Sequence, residues 1–224
     1  MRVFPRLKLV SRAVEENDQE ERNNTGDSCT SLTVWRKSLV MSCKGFTVID
    51  SDGNLVYRVD NYIGRPNEVT LMDASGKSIL TMCRRRKLGL LDTWFVFEGE
   101  VGNQRRRSSK SSNSNLSKSS KSPICCVRKH VNILHANTNV QAYVYRGVSR
   151  SDKRCVAFTI EGSYSHRTCK VLDECRRVVA EIKRKEANTK NVSFGIEIFQ
   201  LIVHPAFDPA FAMALVLLLD QMFT

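Results

Sequence analysis

The chain has 224 residues, 42% of them hydrophobic and 26% charged, with a mean hydropathy of −0.30. This composition is typical of a globular domain with a packed core, and it excludes a disordered chain and a protein with several membrane-spanning helices. The formal net charge of +12 is concentrated in residues 84–130, which hold 12 Lys and Arg against 3 Asp and Glu. Such a field attracts anionic lipid, nucleic acid or acidic proteins alike, and the alternative is a solvated surface that serves solubility alone.

Residues 1–31 predict a flexible segment ahead of the domain, because Glu15–Ser31 is polar, acidic and rich in Asn without apolar periodicity. No secretory signal is expected, since charged residues and a proline interrupt Met1–Val10 before an apolar stretch forms. We therefore expect an intracellular protein with reduced cysteines, in the cytoplasm, at the periphery of the plasma membrane or in the nucleus.

From Leu32 onward, short β-rich runs alternate with turn residues. Gly53 and Gly76 stand between neighbouring runs, where a hairpin turn needs a positive φ. In the third run Tyr57 and Val59 share a core face, while Asp60 belongs to a face expected in water. The first six predicted strands are Leu32–Ser38, Lys44–Asp50, Leu55–Asn61, Val69–Asp73, Ser78–Lys87 and Trp94–Glu98.

A basic, serine-rich segment at about residues 103–122 interrupts this series and predicts a long exposed loop within the domain. Six more predicted strands follow it, which makes twelve in a single domain spanning residues 32–224. They are Pro123–His130, Val140–Arg146, Cys155–Glu161, Arg167–Asp173, Arg176–Lys185 and Phe194–His204.

The C-terminal segment predicts a helix over about residues 208–223, with Asp208 as N-cap and Pro209 in the first position. Ala210–Leu219 contains no polar side chain, so the helix is apolar on every side and must be buried all round. A helix of about 22 Å that contains Asp220 is too short to cross a bilayer comfortably. We therefore predict an all-β fold: a twelve-stranded closed antiparallel β-barrel that encloses a hydrophobic C-terminal α-helix.

The sequence predicts no cofactor, no metal site and no enzymatic activity. Cys125, Cys126, His130 and His135 match no standard zinc spacing, and the eight cysteines include no C-x-x-C pair. Nucleophile-elbow, P-loop, dinucleotide-binding and H-E-x-x-H motifs are all missing, and the four histidines lack partners at motif spacing. A non-catalytic role is therefore expected.

Several stretches resemble the plant LURP-one-related family in order and spacing, and the resemblance covers roughly Leu32–Phe223. They are Gly45–Asp50 with Asp52–Asn54, Leu71–Asp73 with Gly76–Lys77, and the ending Asp208–Phe223. The resemblance implies a tubby C-terminal-like fold, related to phospholipid scramblases, and a regulator linked to plant defence. By fold it further implies kinship with membrane-tethered transcription regulators and lipid-binding proteins, and it carries over no catalytic residues.

The first functional hypothesis is a membrane-tethered module that binds anionic phospholipid or phosphoinositide headgroups. Its candidate site consists of Arg84, Arg85, Arg86 and Lys87, because four consecutive cations at a strand end cannot all point inward. The alternative interpretation of the same residues is a charged strand end that protects a sheet edge from aggregation.

The second hypothesis is a nuclear or transcription-associated regulator that uses the basic loop. Arg105, Arg106 and Arg107 resemble an import signal or a nucleic-acid contact, and Ser108 and Ser109 follow them in a context that basophilic kinases favour. Nucleic acid is the weaker partner, since no known binding motif accompanies the arginines. The remaining alternative is a protein-interaction module of unknown activity, with protein partners.

Overall fold

We analysed a computed structural model of the chain, which describes residues 28–41, 43–61, 67–85, 93–101, 122–130, 139–146, 155–185 and 194–223. Within these ranges the chain forms twelve strands and one helix. The strands are β1 (Thr30–Trp35), β2 (Lys44–Ile49), β3 (Leu55–Asn61), β4 (Glu68–Asp73), β5 (Ser78–Arg85), β6 (Thr93–Glu98), β7 (Cys125–Lys129), β8 (Val140–Arg146), β9 (Val156–Ser163), β10 (Thr168–Leu172), β11 (Val178–Arg184) and β12 (Ile198–Val203). The helix is α1 (Pro209–Phe223).

The strands close into a barrel in which each pairs antiparallel with its neighbours in sequence. Closure is made by β1 and β12, whose register runs from Thr30 opposite Val203 to Trp35 opposite Ile198. Closing the sheet removes the unpaired edges that an open sheet would expose. The predicted fold class is confirmed.

Alternation along the strands separates the barrel interior from its outer face. In β8, for example, Val140, Ala142 and Val144 are buried, while Tyr143 and Tyr145 between them are partly exposed. The inward side chains of the strands form one continuous core with the helix. Adjacent side chains of a strand point to opposite faces, so this pattern follows from the period of two in the sequence.

Helix α1 fills the barrel, as its all-round apolarity predicts. The carboxylate of Asp208 accepts the N–H of Phe211 at 2.6 Å, which is the hydrogen bond of an N-cap. Every residue from Ala212 to Asp220 is buried. Among the described residues, no helix is long and apolar enough to span a bilayer.

The predicted glycine turns are confirmed, since φ is +88° at Gly53 and +87° at Gly76. The turn between β10 and β11 has the same form, but Arg176 occupies the equivalent position with a φ of +64°. An L-residue adopts this region at some cost, so sequence inspection for glycine does not find this third turn.

Several boundaries differ from the predicted ones. β1 begins at Thr30 instead of Leu32. β12 begins at Ile198 instead of Phe194, because Ile196 and Glu197 form a turn that the Ile198 N–H closes on the Gly195 carbonyl at 3.1 Å. Arg167 belongs to the turn before β10 and not to the strand. Asp60 is on the outer face as expected, but its side chain is not exposed to solvent. It is buried, and its carboxylate accepts the Ser38 hydroxyl at 2.6 Å.

Candidate anion-binding end of the barrel

The up-and-down order of the strands, called a meander, brings basic residues that are far apart in sequence to one end of the barrel. Odd-numbered strands all finish at this end, as does helix α1, because successive strands run in opposite directions. We call it the basic end. In the described ranges its cations are Arg36, Lys37, Lys44, Arg84, Arg85, Arg128, Lys129, Arg167, Arg184 and Lys185, and its acids are Asp60, Glu68, Glu197 and Asp220.

The opposite end, where the odd-numbered strands begin, has the reverse balance, and we call it the acidic end. Within the described part of the chain, its acids are Asp50, Asp52, Asp73, Glu98, Glu100, Asp173, Glu174 and Asp208, and its cations are Lys77, Arg146, Arg176 and Arg177. The described residues of the two ends therefore differ in charge, and those of the basic end form the field that attracts an anionic partner.

Three aspartates rigidify turns at the acidic end in the same way. Asp50, Asp73 and Asp173 each accept the backbone N–H of the residue four positions later, at 2.8, 2.9 and 2.9 Å. These side chains replace backbone partners in tight Asx-type turns. Their negative charges are thus committed to local structure.

The two described cations of the predicted site Arg84–Lys87 lie at the basic end but on opposite faces of the wall. Arg84 follows the inward Met82 in alternation, is half-buried, and its guanidinium lies 5.9 Å from the Trp94 ring centroid. Arg85 is exposed on the outer face, 4.9 Å from the Phe95 ring centroid. Arg86 and Lys87 lie outside the described residues.

A second cation flanks the same strand from the other side. Thr93 at the start of β6 is opposite Arg85 on β5 and opposite Arg128 on β7. Two strand spacings separate the backbones of the two arginines, which is about 10 Å. Arg128 also lies over the Tyr145 ring at 5.7 Å, so both guanidinium groups are oriented by cation–π contacts on the outer face.

The C-terminus of the helix is closed by side chains of the basic end. Asp220 is buried and accepts the Arg36 Nε at 2.9 Å and the Tyr164 hydroxyl at 3.2 Å. Burial opposes the charge of Arg36, but Asp220 and then Glu197 outweigh it, so the pKa of Arg36 is raised. Burial, and then the charge of Asp220, raise the pKa of Tyr164.

Two further cations of this end are used structurally. Lys129 donates to the Met222 carbonyl at 2.9 Å and lies over the Phe223 ring at 4.3 Å, where a positive charge complements the helix dipole. Arg167 is buried, 4.1 Å from the Tyr164 ring centroid, and its Nε donates to the Ile196 carbonyl at 2.9 Å. Arg167 is therefore part of the closure and not a surface cation.

Comparison with known proteins decides the family. Residues 30–220 match the family model described as LURP-one-related. The chain belongs to the LURP-one-related family. Protein LURP-one-related 17 of Arabidopsis thaliana is 44% identical over 99% of this chain and 100% of its own length, and Protein LURP-one-related 8 of the same organism is 44% identical over 86% of both.

A solved structure supports the fold of this LURP-one-related chain. The X-ray structure of a protein from Arabidopsis thaliana matches with a TM-score of 0.56 and 23% identity, and the match covers 86% of this chain and 90% of that one. Likeness at this identity concerns the fold alone. The function of the LURP-one-related barrel is therefore argued from its own surface.

The remaining sequence predictions for this LURP-one-related protein concern residues that lie outside the described ranges or on opposite faces of the barrel wall. Arg105–Ser109 lies outside the described residues, as does His135. Cys125 and Cys126 are adjacent on β7, so Cys125 points into the core and Cys126 into a small cluster on the outer face. Burial raises the pKa of the Cys125 thiol, as is typical of a structural cysteine.

Sequence reasoning missed most of the basic end of this LURP-one-related protein. Lys37, Lys44 and Arg128 stand alone or in pairs in the sequence, and Arg184 lies in the short run Lys183–Lys185 at the end of a predicted strand. A signal for them exists nonetheless: in an up-and-down meander, every cation near the finish of an odd strand or the start of an even strand lies at one end. Applying this rule to the twelve predicted strands places these residues together at the basic end.

Proposed function

We propose that the protein is a non-enzymatic module that binds anionic phospholipid, with phosphoinositide headgroups as its preferred ligand, through the basic end of the barrel. The excess of Lys and Arg over Asp and Glu among the described residues of the basic end is the observation that carries this proposal. A concentrated positive field is attracted to a negative membrane surface, so the basic end would face the bilayer.

The outer face beside Thr93 supports a phosphate ligand in particular. Arg85 and Arg128 flank Thr93, and each is oriented over an aromatic ring. Arginine offers several donors in a fixed plane and suits phosphate oxygens better than a point charge does. Two such groups about 10 Å apart fit a headgroup or lipid pair that carries more than one phosphate.

In this role the protein would be a regulator whose position at a membrane, and not a reaction, carries its signal. The link to plant defence that the family resemblance implies would then operate through recruitment of the barrel to the membrane or its release from it. Charge-driven binding of this kind weakens with salt, since exposed pairs are screened over about 8 Å at physiological ionic strength.

The test is co-sedimentation with phosphatidylcholine vesicles that contain either phosphatidylinositol 4,5-bisphosphate or phosphatidylserine at matched charge. The basic-end variant changes the exposed Lys37, Lys44, Arg85 and Arg184 to Gln. A control variant removes the same charge from the acidic end, with the exposed Lys77, Arg146, Arg176 and Arg177 changed to Gln.

We expect the basic-end variant to bind at least about 100-fold more weakly and the control variant to bind like the natural protein, since each surface cation contributes about 1 kcal/mol. Tighter binding to the phosphoinositide vesicles would support the preferred ligand. Equal loss in both variants, or no binding by the natural protein, would rule the proposal out, and equal binding to both lipids would leave a general anionic membrane tether.

A further inference from the structure

Large exposed apolar side chains gather at the basic end. Among the described residues, six large hydrophobic side chains are exposed, and five of them lie at this end. These five are Trp35 (41% exposed), Leu39 (51%), Met41 (91%), Phe194 (37%) and Ile196 (51%), whereas Val156 (37%) lies at the acidic end. Single exposed apolar residues are ordinary, but their concentration beside a basic surface points to an interaction site.

The apolar residues belong to two neighbouring connections. Leu39 and Met41 lie between β1 and β2, and Phe194 and Ile196 lie just before β12. The connections are adjacent because β1 pairs with both β2 and β12. A backbone hydrogen bond of 2.8 Å from the Arg36 N–H to the Glu197 carbonyl joins them. We call Trp35 and the described residues 36–41 and 194–197 the apolar rim.

Hydrogen bonds fix the backbone of the apolar rim. The Ser38 hydroxyl is anchored on buried Asp60 at 2.6 Å and accepts the Val40 N–H at 3.0 Å. On the other connection, buried Arg167 holds the Ile196 carbonyl at 2.9 Å. The apolar side chains therefore project from an ordered base, and placing them against a partner requires little further ordering of the backbone.

The charges around the apolar rim indicate what covers it. Lys37 lies over the Trp35 ring at 5.1 Å, and exposed Lys44 and Arg184 follow at the neighbouring strand ends. A second copy of the chain that used the same end would bring like charges together. An anionic lipid surface complements both features, because headgroups pair with the cations and the acyl boundary accepts the apolar tips.

We propose that the apolar rim inserts into the headgroup and acyl boundary of an anionic bilayer, so that the barrel docks by its basic end with Trp35 at the interface. The inference rests on the proposed lipid binding and adds to it a docking side and an apolar contribution. Tryptophan suits this position, since its ring is apolar and its N–H remains wet. Binding would then resist salt more than a purely electrostatic contact does.

Tryptophan fluorescence tests the insertion directly, because the chain has two tryptophans and Trp94 is 1% exposed inside the barrel. Phosphatidylcholine vesicles with phosphatidylserine and phosphatidylinositol 4,5-bisphosphate should shift the emission to shorter wavelength, and brominated acyl chains should quench it. A Trp35→Phe variant, which keeps Trp94, should show neither change while it still co-sediments.

A Leu39→Gln/Met41→Gln variant tests the apolar contribution, with Val156→Gln as the matched control at the other end. We expect about a tenfold loss or more for the rim variant, with the remaining binding abolished by high salt, and no loss for the control. Circular dichroism and unfolding curves confirm that each variant is folded.

The outcomes separate the two proposals. If the natural protein does not bind vesicles, both the lipid-binding proposal and the insertion proposal are wrong. Vesicle binding without a change in Trp35 emission or quenching overturns the insertion and leaves the electrostatic module standing. Self-association that the rim variant abolishes, with no response of Trp35 to vesicles, would assign the apolar rim to a second copy of the chain and likewise overturn the insertion.

Discussion

The acidic end and the basic end of the barrel belong to the same meander but are constructed differently. At the acidic end, tight turns are held by carboxylates that bond to N–H groups four residues away, as Asp50 does. At the basic end, side chains from distant strands close over the helix, as Arg36, Tyr164 and Asp220 do. Local sequence thus determines one end, and tertiary packing determines the other, which is also the end that presents the candidate site.

The largest expected effect is a loss of stability on substitution of a glycine, and it contrasts two glycines with positive φ. Gly162, near the basic end, has a φ of +107°, and a Cβ built there would lie 1.9 Å from the Thr168 carbonyl oxygen. Gly53, at the acidic end, has a φ of +88° but open space around it. Gly162→Ala should therefore lower the free energy of unfolding by on the order of 4 kcal/mol, and Gly53→Ala by about 1 kcal/mol.

Urea unfolding followed by circular dichroism measures both values. Similar losses for the two variants would show that backbone strain alone matters and that the basic end is no more tightly packed than the acidic turns.

The next effect compares the two ends of the helix. Asp220→Ala leaves Arg36 and Tyr164 without their shared carboxylate in a buried position. We expect a loss of on the order of 3 kcal/mol, toward the low end for a broken buried pair because Arg36 is 30% exposed. Asp208→Ala removes the N-cap and should cost about 1 kcal/mol.

Asp220→Asn is the control for charge, since an amide oxygen still accepts the tyrosine hydroxyl, and its unfolding free energy should fall between those of the natural protein and Asp220→Ala. An Asp208→Ala variant less stable than Asp220→Ala would reverse the order of the two ends.

This contrast explains which features were predictable from sequence. The helix with its N-cap Asp208, the turns at Gly53 and Gly76, and the twelve strands follow from neighbours in the chain, and the structure confirms them. The partners of Asp220 do not, because Tyr164 is 56 residues away and Arg36 directly follows the first strand. No local pattern marks a hydrogen bond between residues so far apart.

The candidate site likewise has a part that local sequence indicates and a part that only strand pairing creates. The run that begins with Arg84 and Arg85 is visible as a charge cluster, yet alternation places these two side chains on opposite faces of the wall. Arg128 becomes a neighbour of Arg85 only through the register of β5, β6 and β7. Loop tips such as Met41 carry no sequence signal for exposure, since an apolar residue is expected in a core.

The smallest effect is a pH dependence that arises at the acidic end. The pKa of Asp50 and that of Asp173 are lowered from 3.8, first by the backbone N–H four residues later, and the pKa of Asp73 is lowered first by the Ser75 hydroxyl. A carboxylate with a lowered folded pKa binds fewer protons folded than unfolded. Its stabilisation is therefore complete above the unfolded pKa and is lost as pH falls through the folded one.

Between pH 7 and about pH 5 these three aspartates should leave the unfolding free energy nearly unchanged, and below about pH 5 they should make it fall progressively. A variant with all three changed to Asn should lose less stability than the natural protein between pH 4 and pH 2.5, because the amides do not titrate. Identical slopes for the triple variant and the natural protein would locate the acid sensitivity elsewhere, and the acidic turns would then owe their rigidity to backbone geometry and not to their charged carboxylates.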